Sequence, residues 1–150
     1  MKIAIISDLH MDKNHDGAYE ELKDVNSDAD LVIVAGDINK AENVVDTLLK
    51  IFTKGQKIVF IPGNHEYYRM HGDSHMTIDA CNDVIERDIA DRGIQDRFFF
   101  LNNHSVDIDG LTFIGSVMWT DFMYGPHDIE DVKSYCEKNQ NDYLYIYKSP

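Results

Sequence analysis

Residues 2–10 read KIAIISDLH, residues 30–37 read DLVIVAGD and residues 57–66 read KIVFIPGNHE. Each stretch opens with an apolar run rich in isoleucine and valine. Each closes on polar groups: Asp8 and His10, then Asp37, then Asn64, His65 and Glu66. Continuous apolar runs of this kind predict strands buried on both faces of a sheet. Amphipathic stretches separate them. Residues 17–25 are a short helix candidate, and residues 41–52 are a better one, with Val44, Val45, Leu48, Leu49 and Phe52 at helical spacing. Strand and helix in alternation predict an α/β fold with a parallel central sheet.

Beyond this core the pattern changes. A longer helix is expected over residues 73–92, capped by Asp73 or Ser74 and ended by Gly93. Met76, Ala80, Val84, Ile85 and Ile89 would form its buried stripe. Residues 97–101, 105–109 and 111–116 read as strands, the last two joined by a turn at Asp109-Gly110. The second half of the sheet is therefore expected to be antiparallel or mixed. Residues 128–138 read as a helix whose acidic start suits the N-terminal dipole. The alternation of Tyr143, Tyr145 and Tyr147 predicts a strand edge or a covered interface. Residues 1–150 show no repeat or linker, so one domain is expected.

Bulk composition narrows the function. A chain of 150 residues with 43% hydrophobic content can bury a core of its own. Its net charge of -13 argues against non-specific nucleic-acid binding through a basic face. A bound divalent ion would reverse that sign locally, so the acidity is compatible with a metal-dependent enzyme acting on phosphate esters. Cys81 and Cys136 are the only cysteines, at a spacing that matches no zinc or redox motif, and read as reduced thiols. The N-terminal strand lacks the length and cleavage site of a signal peptide. No apolar run reaches the ~20 residues needed to span a bilayer. A soluble, cytoplasmic protein is the expectation.

Ligands of open α/β sheets bind beyond the carboxyl ends of the strands. All three polar clusters fall there, so Asp8, His10, Asp37, Asn64 and His65 are predicted to converge. Carboxylate and amide oxygens mixed with imidazole suit manganese, iron, zinc or nickel better than calcium. A carboxylate shared between two ions ~3.5–4 Å apart can serve a two-metal centre that activates water and holds a phosphoryl group. Gly63 lets the backbone turn tightly and present two polar side chains at once. A dinucleotide-binding reading fails on its glycine motif, because Ser7-Asp8-Leu9-His10 follows the first strand instead.

These ordered motifs resemble the calcineurin-like metallophosphoesterase superfamily, whose pattern is Asp-x-His, Gly-Asp, Gly-Asn-His-Asp/Glu, a histidine, and Gly-His-x-His. The resemblance runs along the whole chain. It includes Leu101-Asn102-Asn103 and FIGSVMWTD at residues 113–121, which is similar to a segment of one branch of the family. The resemblance implies a layered sheet with flanking helices and hydrolysis of a phosphomonoester or phosphodiester by a metal-activated water. Two divalent ions are expected, manganese before iron, zinc or nickel. Asp8 and His10 would bind the first ion, Asp37 would bridge both, and Asn64 would bind the second. His65 would stabilise the phosphoryl group or protonate the leaving oxygen, with Glu66 orienting it. Asn64, His65 and Arg69 are the expected substrate contacts.

The chain departs from that pattern at its end: no Gly-His-x-His occurs. The second ion then keeps only Asp37 and Asn64, and should bind weakly unless water, substrate or another chain completes its shell. Three accounts fit: a fragment of a longer enzyme, a natural half with a complementing chain, or a minimal version that uses other residues or self-association. An exposed apolar face covered by a partner or a second copy is expected in the latter two. An inactive metal-binding module is the alternative function. His104 and His127 are candidates to replace the missing ligands, though each reads more simply as part of a loop or helix start. His71 and His75, four apart, read as a helix start and His15 as a surface residue. Trp119 belongs either to the core or to the substrate cleft.

Overall fold

A computed structural model describes residues 1–12, 28–69, 76–126 and 128–148. The helix expected at 17–25, the capping candidates Asp73 and Ser74, and His15, His71, His75 and His127 lie outside the described residues. The three apolar runs form β1 (Ile3–Ile6), β2 (Leu31–Ala35) and β3 (Lys57–Ile61). With β4 (Phe98–Phe100) they make a four-stranded sheet in the order β1-β2-β3-β4, every neighbouring pair parallel. The antiparallel part is separate. Strands β5 (His104–Ile108) and β6 (Leu111–Gly115) form a two-stranded hairpin. Its turn places Asp109 at φ 51 and Gly110 at φ 84, the left-handed pair that suits the twist of a tight hairpin.

Period-two alternation sends each strand's side chains to two cores. Val32, Val34, Ile58, Phe60 and Phe98 face one cluster, closed by helix α1 (Ala41–Ile51) and helix α2 (Ile78–Asp91). Helix α1 contributes Ala41, Val44, Val45, Leu48 and Ile51, all buried, as the apolar spacing predicts. Leu31 and Val59, with Ile33, Ile61 and Phe99, face the other side, covered by Ile108, Val106 and Phe113 of the hairpin. Strand β1 corrects the expectation of burial on both faces. Ala4 and Ile6 join the helix-side core, but Ile3 and Ile5 are 40% and 71% exposed. The strand lies at the sheet edge, beyond the strands that the hairpin covers.

Helix α2 begins at Ile78, with Thr77 as its cap: the hydroxyl accepts the Ala80 N–H at 3.3 Å. Cys81, Ile85 and Ile89 carry its buried stripe, and Gly93 ends it in a left-handed conformation as expected. Helix α3 (Ile129–Asn139) starts where predicted, with the Asp128 carboxylate accepting the Glu130 and Asp131 amides at 2.9 and 3.4 Å. The tyrosine-rich tail is not a strand. Residues Asn141–Tyr145 form a short helix, α4. Carbonyls at its last residue and just beyond it receive distant amides, Arg69 N–H to Tyr145 O and Ile78 N–H to Tyr147 O, both at 2.8 Å. Among the described residues, no helix is long and apolar enough to cross a membrane.

Leu48 is fully buried between α1 and the sheet. Leu48→Ala leaves a cavity there and is expected to cost about 2–5 kcal/mol, read as a lowered midpoint in urea unfolding with an unchanged slope.

Candidate metal centre

Because β1, β2 and β3 are adjacent and parallel, their carboxyl ends open on one edge. Backbone bonds tie the first loop to the second: Asp8 N–H to Gly36 O at 3.0 Å, His10 N–H to Asp37 O at 2.9 Å, and Met11 N–H to Ile38 O at 2.7 Å. The second and third loops touch backbone to backbone at Gly36 and Gly63. A Cβ on Gly36 would collide with the Gly63 main chain, and one on Gly63 with Asp37. Asp8, His10 and Asp37 adopt φ values of 58°, 45° and 58°. Non-glycine residues hold that left-handed region only where the surroundings enforce it.

At Asp37 that enforcement comes from Glu66, a fully buried residue in the single turn His65–Tyr67. One carboxylate oxygen accepts the amides of Asp37 and Gly63 at 3.0 and 2.7 Å. The other accepts those of Ile38 and Asn39 at 2.8 and 3.3 Å. The expected role of orienting His65 is thereby replaced: both oxygens are engaged by the backbone of the neighbouring loops. Burial pushes the Glu66 carboxyl above its usual range, and the four amides oppose that shift.

His10, Asp37 and His65 come together, each offering one ligand atom within 4.8 Å of the others. The two Nδ1 atoms lie 3.3 Å apart, with the rings edge to face. Two nitrogens bound tetrahedrally at ~2.0–2.1 Å stand about that far from one another, so the donor set fits a divalent ion. The His65 N–H donates to Asp37 Oδ1 at 3.0 Å, which fixes the carboxylate between the two loops. Asp8 stands at the exposed rim, its Oδ1 4.0 Å from His10 Nε2.

Asn64 is not part of that triad. Its amide nitrogen donates to the Tyr68 hydroxyl at 2.9 Å and to Asp142 Oδ1 at 2.7 Å. The Tyr68 hydroxyl donates to the same Asp142 oxygen at 2.6 Å. Burial, then the Asp142 bond, pushes the Tyr68 phenol up, so it stays a donor at neutral pH. No motif in the sequence marks Asp142; only the fold brings it to Asn64.

Arg69 does not lie where a substrate contact requires. Its side chain is 3% exposed, and its guanidinium donates to the carbonyls of Tyr68 and Glu66 and to Cys81 Sγ, with Glu42 at 3.3 Å. That buried set leaves no exposed edge for a phosphate. His104 sits on the hairpin opposite Gly115, exposed and outside the triad. Trp119 is 49% exposed rather than core. It lines a cleft of about 620 Å³ together with Gly63, Asn64, Met118 and Asp142.

The family model of the calcineurin-like phosphoesterases matches residues 1–147, and the chain belongs to that family. It is 26% identical over 152 residues to an uncharacterized protein of Acanthamoeba polyphaga mimivirus, covering 95% of this chain and 51% of that protein. The chain thus spans about half the length of the curated relative it matches. The crystal structure of a phosphopantetheinyl hydrolase from Mycobacterium tuberculosis superposes with a TM-score of 0.63 at 18% identity, over 99% of this chain and 56% of the hydrolase. At that identity the likeness establishes the shared fold.

Glu66→Gln is the sharpest probe of the loop arrangement. It turns one acceptor oxygen into a donor facing two amides. A loss of stability on the order of 3 kcal/mol is expected, measured by urea unfolding, with weakened divalent-ion binding in calorimetry.

Proposed function

We propose that this chain carries the metal-holding part of a metal-dependent phosphoesterase that hydrolyses a phosphomonoester or phosphodiester. The convergence of His10, Asp37 and His65 at three neighbouring strand ends carries the reading, together with membership of the family. Asp8, His10 and Asp37 would hold one ion. Asp37 and Asn64 would hold a second, through Asn64 Oδ1, since its Nδ2 is committed to Tyr68 and Asp142. Manganese leads the candidates, before iron, zinc or nickel, on the mixed oxygen and nitrogen donor set. Held by these residues, such an ion would supply Lewis-acid chemistry, polarisation of the phosphoryl group and a lowered pKa for a water. Hydrolysis joins the water oxygen to phosphorus, breaks the ester P–O bond and delivers a proton to the departing oxygen. His65 is the residue we assign to that proton. Its ring lies 4.5 Å from the Tyr68 ring and against His10, so its orientation is set before substrate arrives.

A second reading is favoured by the same cluster. If His65 serves as a ligand beside His10, it cannot also carry the proton, and the chain becomes a metal-binding module without turnover, needing a complementing chain or a second copy. Hydrolysis of bis(p-nitrophenyl) phosphate with added manganese tests the two. Turnover that is lost in Asp37→Asn, and lost in His65→Gln with manganese affinity retained, is the expected result. Tight binding of about one ion with no turnover, or loss of metal in His65→Gln, would support the module instead.

A further inference from the structure

Asn64 is set from outside its own motif. Its Nδ2, the Tyr68 hydroxyl and Asp142 Oδ1 form a closed ring of hydrogen bonds at 2.9, 2.6 and 2.7 Å. Asp142 comes from α4, 78 residues further along the chain. The carboxylate is not a swinging group. Just beyond it in sequence, the end of α4 and the residues after it are fastened to the segments that follow the third strand loop, by Arg69 N–H to Tyr145 O and Ile78 N–H to Tyr147 O. The Tyr68 and Tyr145 rings pack 6.0 Å apart beneath it. The Asp142 oxygen accepts from both the Asn64 amide nitrogen and the Tyr68 hydroxyl. It therefore selects one of the two flips of the Asn64 carboxamide, the one that presents NH₂ to α4 and leaves Oδ1 as the outward oxygen.

We propose that Asp142 is a positioning residue, holding the Asn64 amide so that Oδ1 can serve an ion at the strand ends. The proposal rests on the reading above that Asn64 is a metal ligand. It assigns the C-terminal segment a direct part in the centre. Asp142 stands outside the cluster of described acidic and histidine groups close enough to share an ion, His10, Asp37 and His65. Partners that orient metal ligands in this way are worth about 10–100-fold in metal affinity.

Manganese is titrated calorimetrically into the metal-free chain and into Asp142→Ala, Asp142→Asn, Asn64→Ala and the Asp142→Ala/Asn64→Ala double variant. Asp142→Ala is expected to weaken binding by about 10–100-fold. Asp142→Asn should stay near wild type, because its side-chain oxygen still accepts both donors without the charge. The double variant should bind no more weakly than Asn64→Ala alone, since the two residues act through one group. Binding unchanged in Asp142→Ala, equal losses in the Ala and Asn variants, or additive losses would each overturn the proposal. A second readout needs no metal. The side-chain NH₂ resonances of Asn64 should move toward those of a free amide in Asp142→Ala and hold their positions in Asp142→Asn; unmoved resonances in Asp142→Ala also overturn it. If Asn64→Ala leaves manganese binding untouched, the ligand reading of Asn64 fails, and the resonances still decide what orients its amide. Should Asp142→Ala not fold, Asp142→Ser, one atom too short for the bond, takes its place.

Discussion

One buried carboxylate ties two of the strand-end loops together. Glu66 sits in the middle of a single helical turn, yet its hydrogen bonds reach back across to the loop after β2 and to the turn after β3. Removing a charge from water is costly, and only several well-aimed donors offset that cost. The four amides supply them. In return, the backbone around Asp37 and Gly63 is fixed at the distance that lets two glycines touch. The side chains carried by these loops then have little backbone freedom to lose on binding an ion, which is the physical content of preorganisation.

Much of this was legible from residue order. Strands β2 and β3 read correctly because both of their faces are covered, and a strand covered twice must be apolar throughout. Helix α1 read correctly because one face of it packs and the other does not. Strand β1 has the same apolar run but lies at the edge, and nothing local in Ile3 or Ile5 distinguishes an open face from a covered one. The tyrosine tail misled for a related reason: an alternation of aromatic residues fits a pleated strand, whereas the chain closes a short helix against Tyr68.

The site divides in the same way. Convergence of His10, Asp37 and His65 follows from strand order, which the βα alternation implies. The duties of Glu66 and Arg69 do not follow, because both depend on burial that arises only when loops from different strands meet. Glu66 lies beside His65 in sequence, which suggests a partnership, but both its oxygens are used by main-chain donors. Arg69 lies beside the site in sequence and turns into the interior, where Glu42, Cys81 and two carbonyls receive it. Asp142 carries no local signal at all, and its approach to Asn64 is a property of the folded tail.

The left-handed backbone at Asp8 and Asp37 has a genetic corollary. Glycine relieves such a conformation, and any aspartate codon becomes a glycine codon by a single base change. At these two positions the commonest kind of point mutation would remove a carboxylate while relaxing the backbone, and at Asp37 it would also remove the acceptor of the His65 main-chain N–H. The backbone that gathers these carboxylates at the strand ends is thus one in which glycine meets less strain than aspartate.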